Sequence, residues 1–240
     1  MGKILDGIFV AFENPKGGSG KSTLTAIFAA YLHAIGQKDG LTVGVIDIDD
    51  TQNNLGGMRH RESQLDSSGE DEYTIMNISS SEVLSQVDYL KEAFDIILID
   101  FPGNLKQDGI IETLHLVDVI IIPFEVNDMS LAPTLQFYEI YSNILETRKK
   151  NGYETTVKGV PNRVSPNVKE YKDLLDNKDS LPFELLNNHV KESKVEFQRK
   201  ISTISTYYQY SAAEAFCDEV LDLITSHVKK VKEKENGKTN

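Results

Sequence analysis

The sequence predicts an α/β fold, a doubly wound and mostly parallel sheet flanked by helices, in one domain over residues 1–240. Three observations carry this expectation. Continuous apolar runs of strand length recur along the chain, helical periodicity fills the stretches between them, and a glycine-rich turn joins the first run to the first helix. Apolar runs without alternation are the mark of strands buried on both faces, as happens when helices cover both sides of a parallel sheet.

The first run is Ile8-Phe9-Val10-Ala11-Phe12, followed by a turn containing Asn14-Pro15-Lys16-Gly17-Gly18-Ser19-Gly20. A helix is expected over 22–35, because Leu24, Ile27, Phe28, Tyr31, Leu32 and Ile35 recur at helical spacing and Gly36 supplies a C-cap. Strand, glycine loop and helix together open a βαβ unit. Further buried strands are expected at 43–48, 96–99 and 117–124, and another at 155–160. Between them a helix is read over 79–94, opened by a capping box from Ser79 to Glu82, and an amphipathic one over 131–148. Residues 64–72, rich in Asp, Glu, Ser and Gly, read as a solvated loop. A final helix is expected over 211–231, its lysine-rich end fraying within 229–240 and leaving a frayed tail at 232–240. No internal repeat and no linker divides the chain.

Composition narrows the class. A chain of 240 residues suits a single core, and 40% apolar residues with ten Tyr and ten Phe exclude a largely disordered one. No apolar run approaches the roughly 20 residues of a membrane-spanning helix. Residues 1–7 lead into the first strand without an apolar leader core or cleavage site, so a cytoplasmic location is expected, with association to the nucleoid as a variant of it. The single cysteine, Cys217, sits in an Ala-rich helical stretch and reads as a small core residue. A formal net charge of −12 repels polyanions on average, so nucleic-acid contact requires a local basic patch.

The turn carries the chemistry. Gly17, Gly18 and Gly20 allow positive φ and close approach, so that successive backbone N–H groups point at phosphate oxygens, with a helix N-terminus adding its positive end. Ser19 belongs to the same cradle. Lys21 can reach the β- and γ-phosphates, the Ser22 hydroxyl can ligate Mg²⁺, and Thr23 is placed at the α-phosphate. Lys16 sets a second cation immediately before the cradle. Downstream, Asp95-Ile96-Ile97-Leu98-Ile99-Asp100 is four apolar residues ending in a carboxylate, and Asp100 there can hold Mg²⁺ directly or through water. Gly103, after Phe101-Pro102, can present its N–H to the γ-phosphate and act as a switch. Asp47-Ile48-Asp49-Asp50 closes the second strand at the edge where such sheets bind ligands.

With Pro15-Lys16-Gly17-Gly18-Ser19-Gly20-Lys21-Ser22 in place, the sequence resembles the ParA/MinD family of deviant Walker-A ATPases, most closely the partition proteins, over nearly its whole length. The resemblance implies a P-loop fold and a homodimer closed around ATP and Mg²⁺, with Lys16 acting across the interface on charge at the partner's phosphates. It implies that Asp49 orients the attacking water and that Asp47 supports the Mg²⁺ shell, either Asp remaining a candidate for the catalytic one. Residues 125–128 would border the dimer interface, Asn162 would hydrogen-bond adenine, and Pro166 would lie against the ring. The chain departs from the family where Asp50-Thr51 precede Gln52 in place of Asp-Pro-Gln. The function so implied is slow, partner-stimulated ATP hydrolysis in DNA partition, with nonspecific DNA and a ParB-like centromere-binding protein as partners.

Basic candidates for DNA are Lys191, Lys194, Arg199 and Lys200, with Lys229, Lys230 and Lys232 as a second cluster. Glu192 and Glu196 interleave the first group, so a solvated face of ion pairs is an equal reading. Membrane attachment is disfavoured because the lysine-rich end lacks an aromatic and leucine face. A positioning protein acting on membrane or a protein scaffold is the alternative from another class. One cysteine cannot bridge an iron–sulfur cluster, and Tyr207, Tyr208 and Tyr210 precede a helix, which favours packing over a kinase tail.

Overall fold

The apolar runs become strands because only a sheet covered on both faces buries them completely. A computed structural model describes residues 5–36, 38–48, 55–65, 73–192, 202–203 and 212–238. Its elements are β1 (Ile8–Phe12), α1 (Lys21–Gly36), β2 (Val43–Asp47), α2 (Leu55–Leu65), β3 (Thr74–Asn77), α3 (Ser80–Ser85), α4 (Val87–Ala93), β4 (Ile96–Asp100), α5 (Ile110–Leu114), β5 (Val119–Phe124), α6 (Asp128–Lys150), β6 (Thr156–Pro161), α7 (Lys169–Asp176) and α8 (Glu214–Lys238). The six strands form one sheet in the order β3-β2-β4-β1-β5-β6. Every pairing is parallel. β2, β4 and β5 are buried at every position. The doubly wound expectation holds.

Two apolar layers enclose the sheet. Leu24, Ile27, Phe28 and Leu32 of α1 pack with Phe216, Val220 and Ile224 of α8 on one face. Phe137, Tyr141 and Ile144 of α6 pack with Leu90 of α4, Ile110 of α5 and Tyr171 of α7 on the other. Cys217 is fully buried in the first layer, where burial pushes its thiol pKa up and leaves it inert.

The structure corrects the element readings in several places. The helix expected over 79–94 breaks at Gln86 into α3 and α4, although the Ser79–Glu82 capping box forms as predicted. α2, β3, α5 and α7 went unread. α2 opens with Leu55-Gly56-Gly57, a weak helix former, and is held by tertiary bonds instead: Arg59 donates to Thr203 Oγ1 at 2.9 Å, Thr203 O at 2.7 Å and Tyr73 O at 3.0 Å. β3 is a four-residue edge strand without a buried face. Finally, α8 stays helical to Lys238 instead of fraying from 229. Glu154 pairs with Lys230 at 3.1 Å and also with Lys234, while Lys232 meets Asp6 at 3.0 Å.

Candidate functional site

Topology sets the position of the site. The β1–α1–β2 connection crosses β4 in one direction, and the β4–α5–β5 connection crosses β1 in the other, so the loops after β1 and β4 part and open a crevice at the C-terminal edge. The glycine loop lies there. Gly18 and Gly20 take φ of 78° and 101°, as the cradle reading requires. Gly17 and Gly18 are exposed with open space around them, whereas a Cβ on Gly20 would stand 2.3 Å from Asn162 Nδ2. α1 begins at Lys21 with no acidic residue in its first turn, so its positive end faces the loop uncancelled. Ser22 and Thr23 sit half-buried in that turn.

Lys21 is buried, and its Nζ donates to Asn14 O at 3.0 Å. Asn14 organises the root of the loop. Its Nδ2 donates to Pro123 O at 2.9 Å and Thr134 Oγ1 at 2.7 Å, and its Oδ1 accepts from Lys16 N at 3.1 Å. The Lys16 ammonium donates to Ser130 Oγ in the first turn of α6, a turn capped by Asn127 through Ser130 N at 2.9 Å. In the single chain, then, Lys16 is docked on its own α6.

Asp47 and Asp100 stand opposite one another in register at the ends of β2 and β4, both fully buried. Asp47 Oδ2 accepts from Gly56 N at 2.8 Å, which ties the start of α2 to the site. Gly103 is exposed, and a Cβ there would lie 3.8 Å from Lys21 Nζ and from Pro15 O. Asp49, the expected water-orienting residue, lies outside the described residues, as do Asp50, Thr51 and Gln52. Among the described residues no cluster of three His, Cys, Asp or Glu would hold a metal alone. Mg²⁺ takes one or two carboxylates and completes its shell with water and phosphate oxygens, and Asp47 and Asp100 are two carboxylates at that edge. The glycine cradle, the buried Lys21 and the Asp47–Asp100 pair are a donor set suited to a magnesium–triphosphate complex.

Asn162 is brought to the loop from the end of β6. It is buried, with Nδ2 donating to Ser19 O at 2.7 Å and Oδ1 accepting from Arg163 N at 2.9 Å. Its carboxamide therefore braces the phosphate loop, a role the sequence did not suggest for it. Pro166 lies exposed beyond. Arg163 between them holds φ of 55°, a left-handed conformation in a residue with a side chain, and bonds Glu125 at 2.8 Å.

Four residues of the site were missed: Asn14, Ser130, Thr134 and above all Glu13. Glu13 is fully buried directly after β1. Burial pushes its pKa up to about 8, the nearby Lys21 charge opposing that rise and Asp100 adding to it. The only signal for it was an acid between an apolar strand and a glycine loop.

Of the first group of DNA candidates only Lys191 is among the described residues. Lys191 is exposed, Lys194, Arg199 and Lys200 lie outside the described residues, and Tyr207, Tyr208 and Tyr210 do too. In the second cluster Lys230 and Lys232 are engaged by Glu154 and Asp6, and Lys229 is exposed. No described helix is long and apolar enough to cross a membrane. Cavity size does not mark the crevice either: an opening of about 770 Å³ lies at the opposite sheet edge, between Ile8, Asp118 and His227.

A glycine cradle between a buried strand and a helix, with aspartates closing the neighbouring strands of an all-parallel sheet, defines a P-loop nucleotide-binding protein. Residues 10–204 match the model of the CobQ/CobB/MinD/ParA nucleotide binding domain, and the chain belongs to that family. Solved structures share the fold at low identity. The MinD cell division protein of Aquifex aeolicus superposes with a TM-score of 0.62 at 19% identity, covering 92% of this chain and 97% of its own. A putative plasmid partition protein from Borrelia burgdorferi, bound to AMPPNP, gives 0.60 at 16%, covering 93% and 99%. Cobyrinic acid a,c-diamide synthase from Mycobacterium smegmatis, with an ATP analog and magnesium, gives 0.60 at 16%, covering 91% and 94%. No curated protein sequence matches the chain.

Proposed function

We propose that this chain is a ParA-type ATPase: a homodimer closed by ATP and Mg²⁺ that binds DNA nonspecifically, acts in plasmid or chromosome partition, and is released when a ParB-like centromere-binding partner stimulates slow hydrolysis. The observation that carries the reading is Lys16, a second cation beside the cradle whose side chain rests on Ser130. Lys21 would hold the β- and γ-phosphates, with the N–H groups of residues 17–20 around them. Ser22 and Asp100 would hold the metal, with Asp47 in its outer shell. The metal supplies charge neutralisation at the phosphates. Asp49 is assigned to orienting water, and Asn162 with Pro166 to the base. Such a protein works in the cytoplasm on the nucleoid.

A positioning ATPase acting on a protein scaffold is the second reading, favoured by the net charge of −12 and by the cis pairing of the α8 lysines. Size-exclusion chromatography and a duplex-shift assay with ATP separate the two. Wild type is expected to dimerise and to shift duplex DNA with ATP. Lys21→Ala should lose nucleotide binding by at least about 100-fold and do neither, and Lys16→Ala should bind nucleotide yet remain monomeric. A Lys16→Ala protein that dimerises and hydrolyses like wild type removes the trans role. Dimerisation without any duplex shift at low salt favours the scaffold reading.

A further inference from the structure

One carboxylate on α8 is saturated by two neighbouring asparagines. Glu219, in the second turn of that helix, accepts from Asn187 N at 2.7 Å and Asn187 Nδ2 at 2.9 Å on Oε1, and from Asn188 N and Asn188 Nδ2, both at 2.8 Å, on Oε2. Four charge-assisted bonds fill the acceptor capacity of the group. Nothing is left over for a cation or a ligand, so the effect of Glu219 lies in what it holds.

The stretch it holds runs alongside the end of β6. Leu186 N donates to Gly159 O at 2.8 Å, Val190 N to Pro161 O at 3.0 Å and Val164 N to Val190 O at 2.9 Å. Parallel bridges close the two ends, Gly159 with Leu185 and Val164 with Lys191, so the outer stretch carries one residue more than the inner one between them. Asn187 and Asn188 lie within that longer stretch. Asn162 lies on the inner side of the same interval, next to Arg163 with its positive φ, and from there its Nδ2 reaches Ser19 O at 2.7 Å. Leu186 and Val190, on either side of the asparagines, are buried in the same layer as Phe216 and Val220 of α8. Apolar burial thus anchors the flanks of the outer stretch, and Glu219 anchors its middle. Once released, that middle no longer fixes Val190, whose N–H and carbonyl hold Pro161 and Val164 around the turn that carries Asn162.

We propose that Glu219 is a positioning residue for the nucleotide site: from α8 it fixes Asn187 and Asn188 and, through the paired stretch, holds Asn162 on Ser19 O. The inference rests on the nucleotide-binding reading of the loop. It gives α8 a part in nucleotide binding, although the helix is distant in sequence from every residue assigned to the nucleotide.

The test is calorimetric titration of AMPPNP with Mg²⁺ into wild type, Glu219→Ala, Asn162→Ala and the double variant. Glu219→Ala should weaken binding about tenfold, and the same substitution in the Asn162→Ala background by less than about twofold, since its route to the loop has already been cut. A residue that merely keeps α8 in the fold would give the same factor in both backgrounds, and that result overturns the proposal. A Glu219→Ala protein that binds within about twofold of wild type overturns it too. Glu219→Gln keeps one acceptor oxygen, enough for one of the two asparagines, so its affinity should fall between wild type and the alanine variant, and it carries the cycle if the alanine variant fails to fold. In each of these outcomes wild type still binds nucleotide. No heat from wild type overturns the nucleotide-binding reading as well, so the two failures are distinguishable.

Discussion

Gly20 differs from its neighbours in the loop for a steric reason. Its φ of 101° suits glycine, and a Cβ would stand 2.3 Å from Asn162 Nδ2, whereas Gly17 has open space around it. Gly20→Ala should therefore cost about 1–3 kcal/mol of stability and weaken nucleotide binding, because Asn162 must leave Ser19 O to make room. Thermal denaturation and nucleotide titration on Gly17→Ala and Gly20→Ala check this, and equal effects at both positions would contradict it. The spacing of the glycines in the sequence was enough to read a phosphate cradle. Which glycine is irreplaceable was not legible, since the colliding atom comes from a residue 142 positions away.

At the scale of elements, α6 and α8 are fixed to the sheet by polar groups at the edge away from the crevice. Arg148, buried near the C-terminus of α6, bonds Asp118 Oδ1 at 2.8 Å and Thr155 Oγ1 at 2.6 Å, and also meets His115 O. Asp118 in turn accepts from Phe9 N at 3.1 Å, so the pair clamps α6 to the start of β5 and to β1. Arg148→Ala takes the cation from a largely buried carboxylate and leaves it the Phe9 N–H, and chemical denaturation should show a loss of about 3–5 kcal/mol. A loss under about 1 kcal/mol would place the pair among solvent-screened surface bridges.

His227 plays a similar part on α8, with Nδ1 2.9 Å from Thr156 Oγ1. Its pKa is held below the usual imidazole range, chiefly by burial, with Arg148 and Lys230 adding to the depression and Asp118 and Glu154 opposing it. A depressed histidine contributes stability above its unfolded value of about 6.5, and that stability is lost as pH falls through the folded value. Protection factors of α8 amides, taken relative to the intrinsic exchange rate at each pH, should fall between pH 7 and pH 5.5 in wild type and less so in His227→Gln. Long apolar strands and the Ser79–Glu82 capping box were legible because each is encoded within a few residues. α2 was not, since its bonds run to Tyr73 and Thr203.

At the scale of the whole molecule, a net charge of −12 means that any duplex contact depends on a few local cations. If Lys191, Lys194, Arg199 and Lys200 neutralise four phosphates, affinity should fall on the order of 100-fold between 50 and 200 mM salt. Alanine at all four should remove both the binding and its salt slope, while ATP-driven dimerisation persists. Retained binding in that variant would move the contact elsewhere. The sequence by itself determined the doubly wound class, the phosphate loop, its pair of lysines and the aspartate that closes β4, because runs of apolar residues and short motifs are local in the chain. Only the tertiary structure decided that Lys16 docks on Ser130, that Asn162 braces Ser19, and that Glu13 is sealed beside Lys21. Those relations depend on which strands become neighbours, and strand order is settled by packing over the whole sheet, where no single stretch of residues specifies it.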